Sequence, residues 1–317
     1  MSTKYKYDYS YWAMFKSLER ELLSLTNVID INSDQINVYS AKIADLLNRT
    51  VTEIETLSKK LYFDNGGVWN NTGKDPYFDT TCLKFLNDNW CLEKKKVYIV
   101  SPYIHLTDKE LEKTPLLGVH EWQVGDWKNA SNAVKHDRAN CLHEGTLGRF
   151  IDALSALFLL NVYNNNAIID LDNSAGNFDP SMGSDVFAIK KHSFPGINAE
   201  NIYRIAPDYD ECAYLIRATE DTATKAAEAI AEINNMIVNE VMSLAVCKVN
   251  DELKSHKITP SDITARIQQH IPELKAMAIS LTAKKVGKSI TSAFSAVKYE
   301  AVLNKNQYKN PVPKNSE

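Results

Sequence analysis

From Ala223 to Lys254 the chain is rich in alanine and contains neither glycine nor proline. Alanine has the highest intrinsic helix propensity, and nothing here interrupts the hydrogen-bond ladder. A single helix of about thirty residues is expected, on the order of 50 Å long at 1.5 Å per residue. Ile230, Ile233, Ile237, Val241, Leu244 and Val249 lie close to one apolar stripe along it. A helix this long rarely stands alone, so it packs back on a neighbour or makes an oligomer contact. Thr259 and Pro260 supply an N-cap and a first-position proline for a short helix. A last helix is expected from about Pro272 to Leu303, weakened at Gly287. The result is a C-terminal helical hairpin or bundle over 211–305, with 306–317 as a flexible tail.

The rest of the chain reads as mainly helical. Trp12, Phe15, Leu18, Leu22 and Leu25 recur at helical spacing, and so do Ile43, Leu46, Leu47, Val51, Ile54, Leu57 and Leu61 after Ser40. A further helix is expected at about 76–90. Lys96 to Pro102 is the best strand candidate, with a second strand-like piece at Asp185 to Ile189. Residues 164–210, rich in Asn, Asp, Gly and Pro, read as irregular. The fold class expected is therefore all-α, with at most a minor strand pair. The first helical domain covers 1–190.

Net charge is −4, which argues against nucleic-acid binding through overall charge and leaves a local basic patch open. The N-terminus has no apolar signal-like region. The apolar run from Ala153 to Val162 is too short to span a bilayer. Five scattered cysteines without CxxC spacing fit free thiols in a reducing cytoplasm. A cytoplasmic protein without membrane contact is expected.

The densest polar chemistry lies between Asn132 and His143, immediately ahead of the apolar run Phe150 to Leu160. Buried polar groups need partners, so such crowding points to a site. On one continuous helix, expected from about Asp126 to Tyr163 with a bend at Gly145 or Gly148, Asn132, His136, Asn140 and His143 would form one polar stripe. Arg138 can hold a phosphate while His143 or His136 moves a proton near neutral pH. Three readings are open: a packing anchor, a nucleic-acid-cleaving site, and a metal site on His136, Cys141 and His143.

The spacing Arg138-Ala-Asn-Cys-Leu-His143 matches the Rx4–6H signature of the HEPN superfamily. Trp127 and the run Asn132-Ala-Val-Lys135-His136-Asp137-Arg138, followed by an Ala/Leu-rich helix, look like HEPN-type helical proteins of bacterial genomes and prophages. The N-terminal Leu18, Glu19 and Leu22 are compatible with the same type, and the resemblance covers roughly 8–190. It implies a metal-independent ribonuclease site completed across a homodimer. Arg138 would bind phosphate, His143 would act in acid–base chemistry, and His136 and Asn140 would be polar neighbours. The position after the arginine is Ala139, where active members usually carry a polar residue.

Lys135 beside this cluster, and Lys284, Lys285 and Lys288 in the lysine-rich last helix, are the candidate nucleic-acid contacts. Trp69, Trp90, Trp122 and Trp127 could form a base-stacking platform or simply pack. The pairs Glu53/Glu55 and Asp108/Glu110/Glu112 read as solvated faces, and Gly66-Gly67 has no nucleotide-loop context. The expected function is an RNA-directed endoribonuclease of a defence or toxin-type system, needing no cofactor or metal. The alternative is a non-catalytic interaction or sensor module docking a protein partner through its C-terminal helices.

Overall fold

From Ala153 to Tyr163 every residue of one helix is buried. A helix apolar on all sides must be wrapped by the rest of the chain, and the computed structural model places it at the centre. The structure describes residues 9–69, 74–121, 124–193, 208–294 and 297–305.

The chain begins with α1 (Tyr9–Leu25), β1 (Ile31–Asn32) and α2 (Ala41–Asp64). A π-helical turn, Phe78–Leu83, runs into α3 (Lys84–Trp90), followed by β2 (Val97–Ile99), β3 (Ile104–His105), α4 (Asp108–Leu111) and β4 (Glu112–Lys113). Next come α5 (Asp126–His136), α6 (Arg138–Cys141) and the central α7 (Leu147–Asn165). The last part holds β5 (Ile169–Asp170), β6 (Phe187–Ile189), β7 (Lys191–Ser193) and β8 (Tyr214–Ala218). It ends with α8 (Glu220–Lys254), α9 (Ile263–Phe294) and β9 (Tyr299–Leu303).

The central α7 lies against α1, α2, α5 and β6. Helix α2 starts where Ser40 Oγ accepts the Ile43 N–H at 3.1 Å, satisfying one of the donors left open at a helix N-terminus. Its buried face is the one the spacing predicts, Ile43 through Leu61.

The all-helical expectation is overturned. Among the described residues there are three small sheets: β1 with β3, the order β4-β2-β6, and the order β5-β9-β8-β7. The two strands visible in the sequence do pair, with Val97 opposite Ile189 and Ile99 opposite Phe187. The others were hidden for physical reasons. Most are only two or three residues long, and their pairing is non-local, which local propensity cannot reveal. Strand β9 falls inside the expected last helix. It turns extended because Tyr214 through Ala218 offers it a full antiparallel edge, Tyr214 opposite Leu303 and Ala218 opposite Tyr299.

Helices α8 and α9 therefore form a hairpin inserted between two neighbouring strands. Its root is tied where the Thr219 N–H donates to Lys298 O at 2.9 Å and Lys298 N–H donates to Thr222 Oγ1 at 3.1 Å. At the far end Thr259 and Asp262 close a capping box around Pro260. The short helix expected there is a single 3-10 turn leading directly into α9, which continues through Pro272. That proline is exposed, so water can satisfy the carbonyl it leaves unbonded. No helix among the described residues is long and apolar enough to cross a membrane.

Candidate functional site

The expected continuous helix from 126 to 163 is interrupted at Asp137. This residue leaves helical geometry (φ −145°, ψ 71°) and becomes the N-cap of α6. Its carboxylate accepts the Asn140 N–H at 3.2 Å and the Asn140 side-chain amide at 2.9 Å. A 3-10 turn, Leu142–Glu144, follows, and Thr146 caps α7 by accepting the Arg149 N–H at 3.4 Å. The chain breaks because Asp and Thr compete for exposed main-chain donors better in caps than inside a helix. Asn132, His136, Asn140 and His143 consequently belong to three local frames rather than one helical stripe.

What results is an exposed polar turn. Lys135, His136 and Arg138 are exposed and make no ion pair or hydrogen bond through their side chains with other described residues. His143 is 59% exposed, stands edge-on to Tyr39 with ring centroids 6.4 Å apart, and has Nε2 3.4 Å from Glu144 Oε1. Glu144 also pairs with Arg149, whose Nη1 donates to the Glu144 carbonyl at 2.8 Å. Asp137 is held as a cap by Asn140 and Glu144 is paired, while Lys135 and Arg138 form no ion pair with the described residues. The surface can receive an anion such as a phosphate. Asn140 is committed to Asp137.

Lys284, Lys285 and Lys288 are exposed on α9, an element separate from this turn. Among the four tryptophans, Trp90 is stacked on Tyr163 inside the core and Trp127 is buried, its indole N–H donating to Pro115 O at 3.1 Å. Trp69 is exposed and stacks on Phe63, and Trp122 lies outside the described residues. No shared stacking platform exists among the described tryptophans. Three of the five residues in the acidic pairs have structural partners: Glu110 serves the Thr107 capping box, Glu55 meets Lys59 at 2.9 Å, and Glu112 meets Lys96 at 2.7 Å.

Three features escaped the sequence reading. A cleft of about 500 Å³ opens beside Glu112, Glu121, Asp126, Trp127 and Asp152. It lies at the N-terminal end of α5, about 15 Å along the helix from Lys135 and His136. Lys95 is fully buried, and its ammonium has no hydrogen-bond acceptor among the described residues. Burial pushes it down to about 8. Nothing in the Lys94-Lys95-Lys96 run marks its middle member as an inside residue.

The third feature is a ligand-type cluster. The trio His136, Cys141 and His143 does not converge on a common point, whereas His192, Asp208 and Cys212 do, with their donor atoms all within 4.8 Å of one another. Burial pushes the Cys212 thiol up to about 12. All five cysteines are free thiols. Comparison with family models, with curated proteins and with solved structures finds no match for this chain.

Proposed function

We propose that this chain is a non-catalytic interaction protein whose α8–α9 hairpin is its docking arm. The observation that carries this reading is the composition of the arm's surface. Helices of 35 and 32 residues pack on each other rather than on the body. Their buried residues are few, with Ala226, Val241, Ala245 and Val249 on α8 and His270, Ala278 and Thr282 on α9. Outside the seam, Val238, Met242 and Val246 follow one another at four-residue spacing on α8 and are between 39% and 56% exposed. Met277 and Leu281 repeat the pattern on α9. Apolar side chains aligned on an exposed helix mark a surface for another helix or groove. The class of partner is a protein subunit of a defence or toxin-type system, as the resemblance around residues 127–160 implies.

The test is a photo-activatable cross-linker placed at Met242 or Leu281 of the full chain in cells, with a body position such as Val28 as control. A discrete adduct from the arm positions alone is expected. Equal, diffuse labelling from arm and body would overturn the reading.

A second reading has its own observation. Arg138 is exposed and makes no ion pair with the other described residues, and His143 follows it in the next turn. This supports a metal-independent endoribonuclease in which Arg138 binds the scissile phosphate and His143 moves the proton, within a homodimer. Cleavage of total bacterial RNA in EDTA, lost in both Arg138→Ala and His143→Ala, would establish it. No cleavage by the wild type leaves the docking reading in place.

A further inference from the structure

We propose that His192, Asp208 and Cys212 bind one borderline-soft divalent cation of the Zn2+ class through an imidazole nitrogen, a carboxylate oxygen and a thiolate. The argument starts from the sheet. Strands β7 and β8 are parallel neighbours with Lys191 opposite Tyr214 and His192 opposite Leu215. The Ala213 N–H donates to Lys190 O at 2.9 Å, which holds the entry to β8 beside the start of β7. A 3-10 turn, Tyr209–Glu211, then folds Asp208 back over Cys212, with the Cys212 N–H donating to Tyr209 O at 3.2 Å. Three residues from two separate stretches of chain are brought to one point by main-chain pairing alone.

The geometry of that point suits a tetrahedral ion. Bond lengths near 2.0–2.3 Å to nitrogen, oxygen and sulfur imply donor–donor separations of about 3.3–3.8 Å. His192 Nδ1 and Asp208 Oδ1 are 3.5 Å apart, and the thiol completes a triangle with no edge over 4.8 Å. The other oxygen, Oδ2, faces Lys190 Nζ at 3.6 Å, and Lys190 is itself held by Glu211 at 2.5 Å. An outer-shell pair of this kind orients a ligating carboxylate and leaves Oδ1 for the ion.

The donor set also discriminates. A thiolate selects Zn2+ over Mg2+ or Ca2+, which prefer oxygen alone. Cys212 is buried while His192 and Asp208 are part exposed, and three protein ligands leave a fourth position for a water or another donor. On binding, the Cys212 S–H proton is released to solvent and a metal–sulfur bond forms. The hydrogen bond that the thiol now donates to Asp208 O at 3.2 Å is given up. The ion would clamp β7 to the turn before β8, and so brace the strand from which the helical arm departs.

Cobalt titration of the metal-free full chain tests this, because Co2+ in a tetrahedral thiolate site shows a sulfur-to-metal charge-transfer band. One Co2+ per chain with that band, displaced by Zn2+, is expected for the wild type and for Cys247→Ser, which removes the exposed thiol. Cys212→Ser should lose the band. Asp208→Asn, a conservative change at a part-exposed position, should keep it and bind more weakly, because a neutral amide oxygen replaces a charged ligand. Far-ultraviolet circular dichroism of each metal-free variant separates loss of the ligand from loss of the fold. A wild type without the band, or a band that survives in folded Cys212→Ser, overturns the proposal.

Discussion

The buried carboxylate of Glu19 accepts the main-chain N–H of Val186 at 3.2 Å, joining α1 to the start of β6 across 167 positions of the chain. The same oxygen accepts the Asp185 N–H at 3.1 Å and the Ser184 hydroxyl, and the other oxygen meets the Lys16 ammonium. Removing the acceptor takes the partner from the buried Ser184 hydroxyl and from the Asp185 N–H, and leaves the Val186 N–H only its weaker bond to Ser184 Oγ at 3.2 Å. Each such orphan costs about 1–3 kcal/mol. Glu19→Ala is expected to lower unfolding free energy by about 3–5 kcal/mol, read from the urea midpoint at constant m. Glu19→Gln, which keeps an acceptor oxygen, should cost less. Equal losses would show that charge rather than acceptance is what matters.

Lys95 makes stability depend on alkaline pH in a definite sense. Its folded value, about 8, lies below the ordinary lysine value of 10.5. Between those two values the unfolded chain binds the extra proton, so the contribution of this residue to stability rises with pH across that window. Below pH 8 both states are protonated and the penalty is fully present, about 3 kcal/mol by the size of the shift. Lys95→Met should therefore stabilise the protein at pH 7, and its advantage over wild type should shrink from pH 8 to 10.5. Taking the difference between the two proteins removes the opposite trend from Cys82, which burial pushes up to about 12. An advantage that is flat with pH would mean the ammonium already has a partner in solution.

Gly145 is required by packing rather than by backbone conformation. Its φ of −78° suits any residue, but a Cβ there would lie 2.6 Å from Ala44 Cβ and 2.9 Å from Ala44 Cα. The second contact is main chain of α2 and cannot swing aside. Gly145→Ala is expected to cost about 1–3 kcal/mol by prising the 142–146 turn from α2, and thermal denaturation measures it. Because that turn carries His143, the side-chain resonances of His143 and Tyr39 should shift in the same variant.

What the sequence revealed was local in origin. The Ser40 cap, the apolar face of α2, the all-round apolar α7 and the Thr259–Pro260 start each depend on residues within a few positions of one another. What it concealed was non-local or a close competition. Tyr299 to Leu303 reads as the tail of a helix until Tyr214 to Ala218 is placed beside it. Asp137 is an ordinary helix residue until its carboxylate takes the Asn140 N–H, and that one cap dissolves the polar stripe expected from His136 to His143. The candidate site suffered in the same way. Arg138 and His143 were legible as residues but not as a geometry, while His192, Asp208 and Cys212 meet only through strand pairing and a 3-10 turn.

The arm supplies the last test, because buried and exposed positions alternate within a single turn of α9. Ala278 is fully buried in the seam against α8, whereas Leu281, three residues on, is 55% exposed. Ala278→Leu forces extra methylenes into a fully buried position of the hairpin, at about 1–3 kcal/mol. Leu281→Glu removes an exposed apolar group and should change stability by no more than about 0.5 kcal/mol. Hydrogen exchange distinguishes them. In Ala278→Leu the amides of α8 and α9 should exchange faster while those of α7 keep their protection, since the hairpin packs mainly on itself. In Leu281→Glu the exchange pattern should match wild type, leaving any loss of partner cross-linking attributable to the surface alone. Faster exchange across α7 in the first variant would instead show that hairpin and body unfold as one unit.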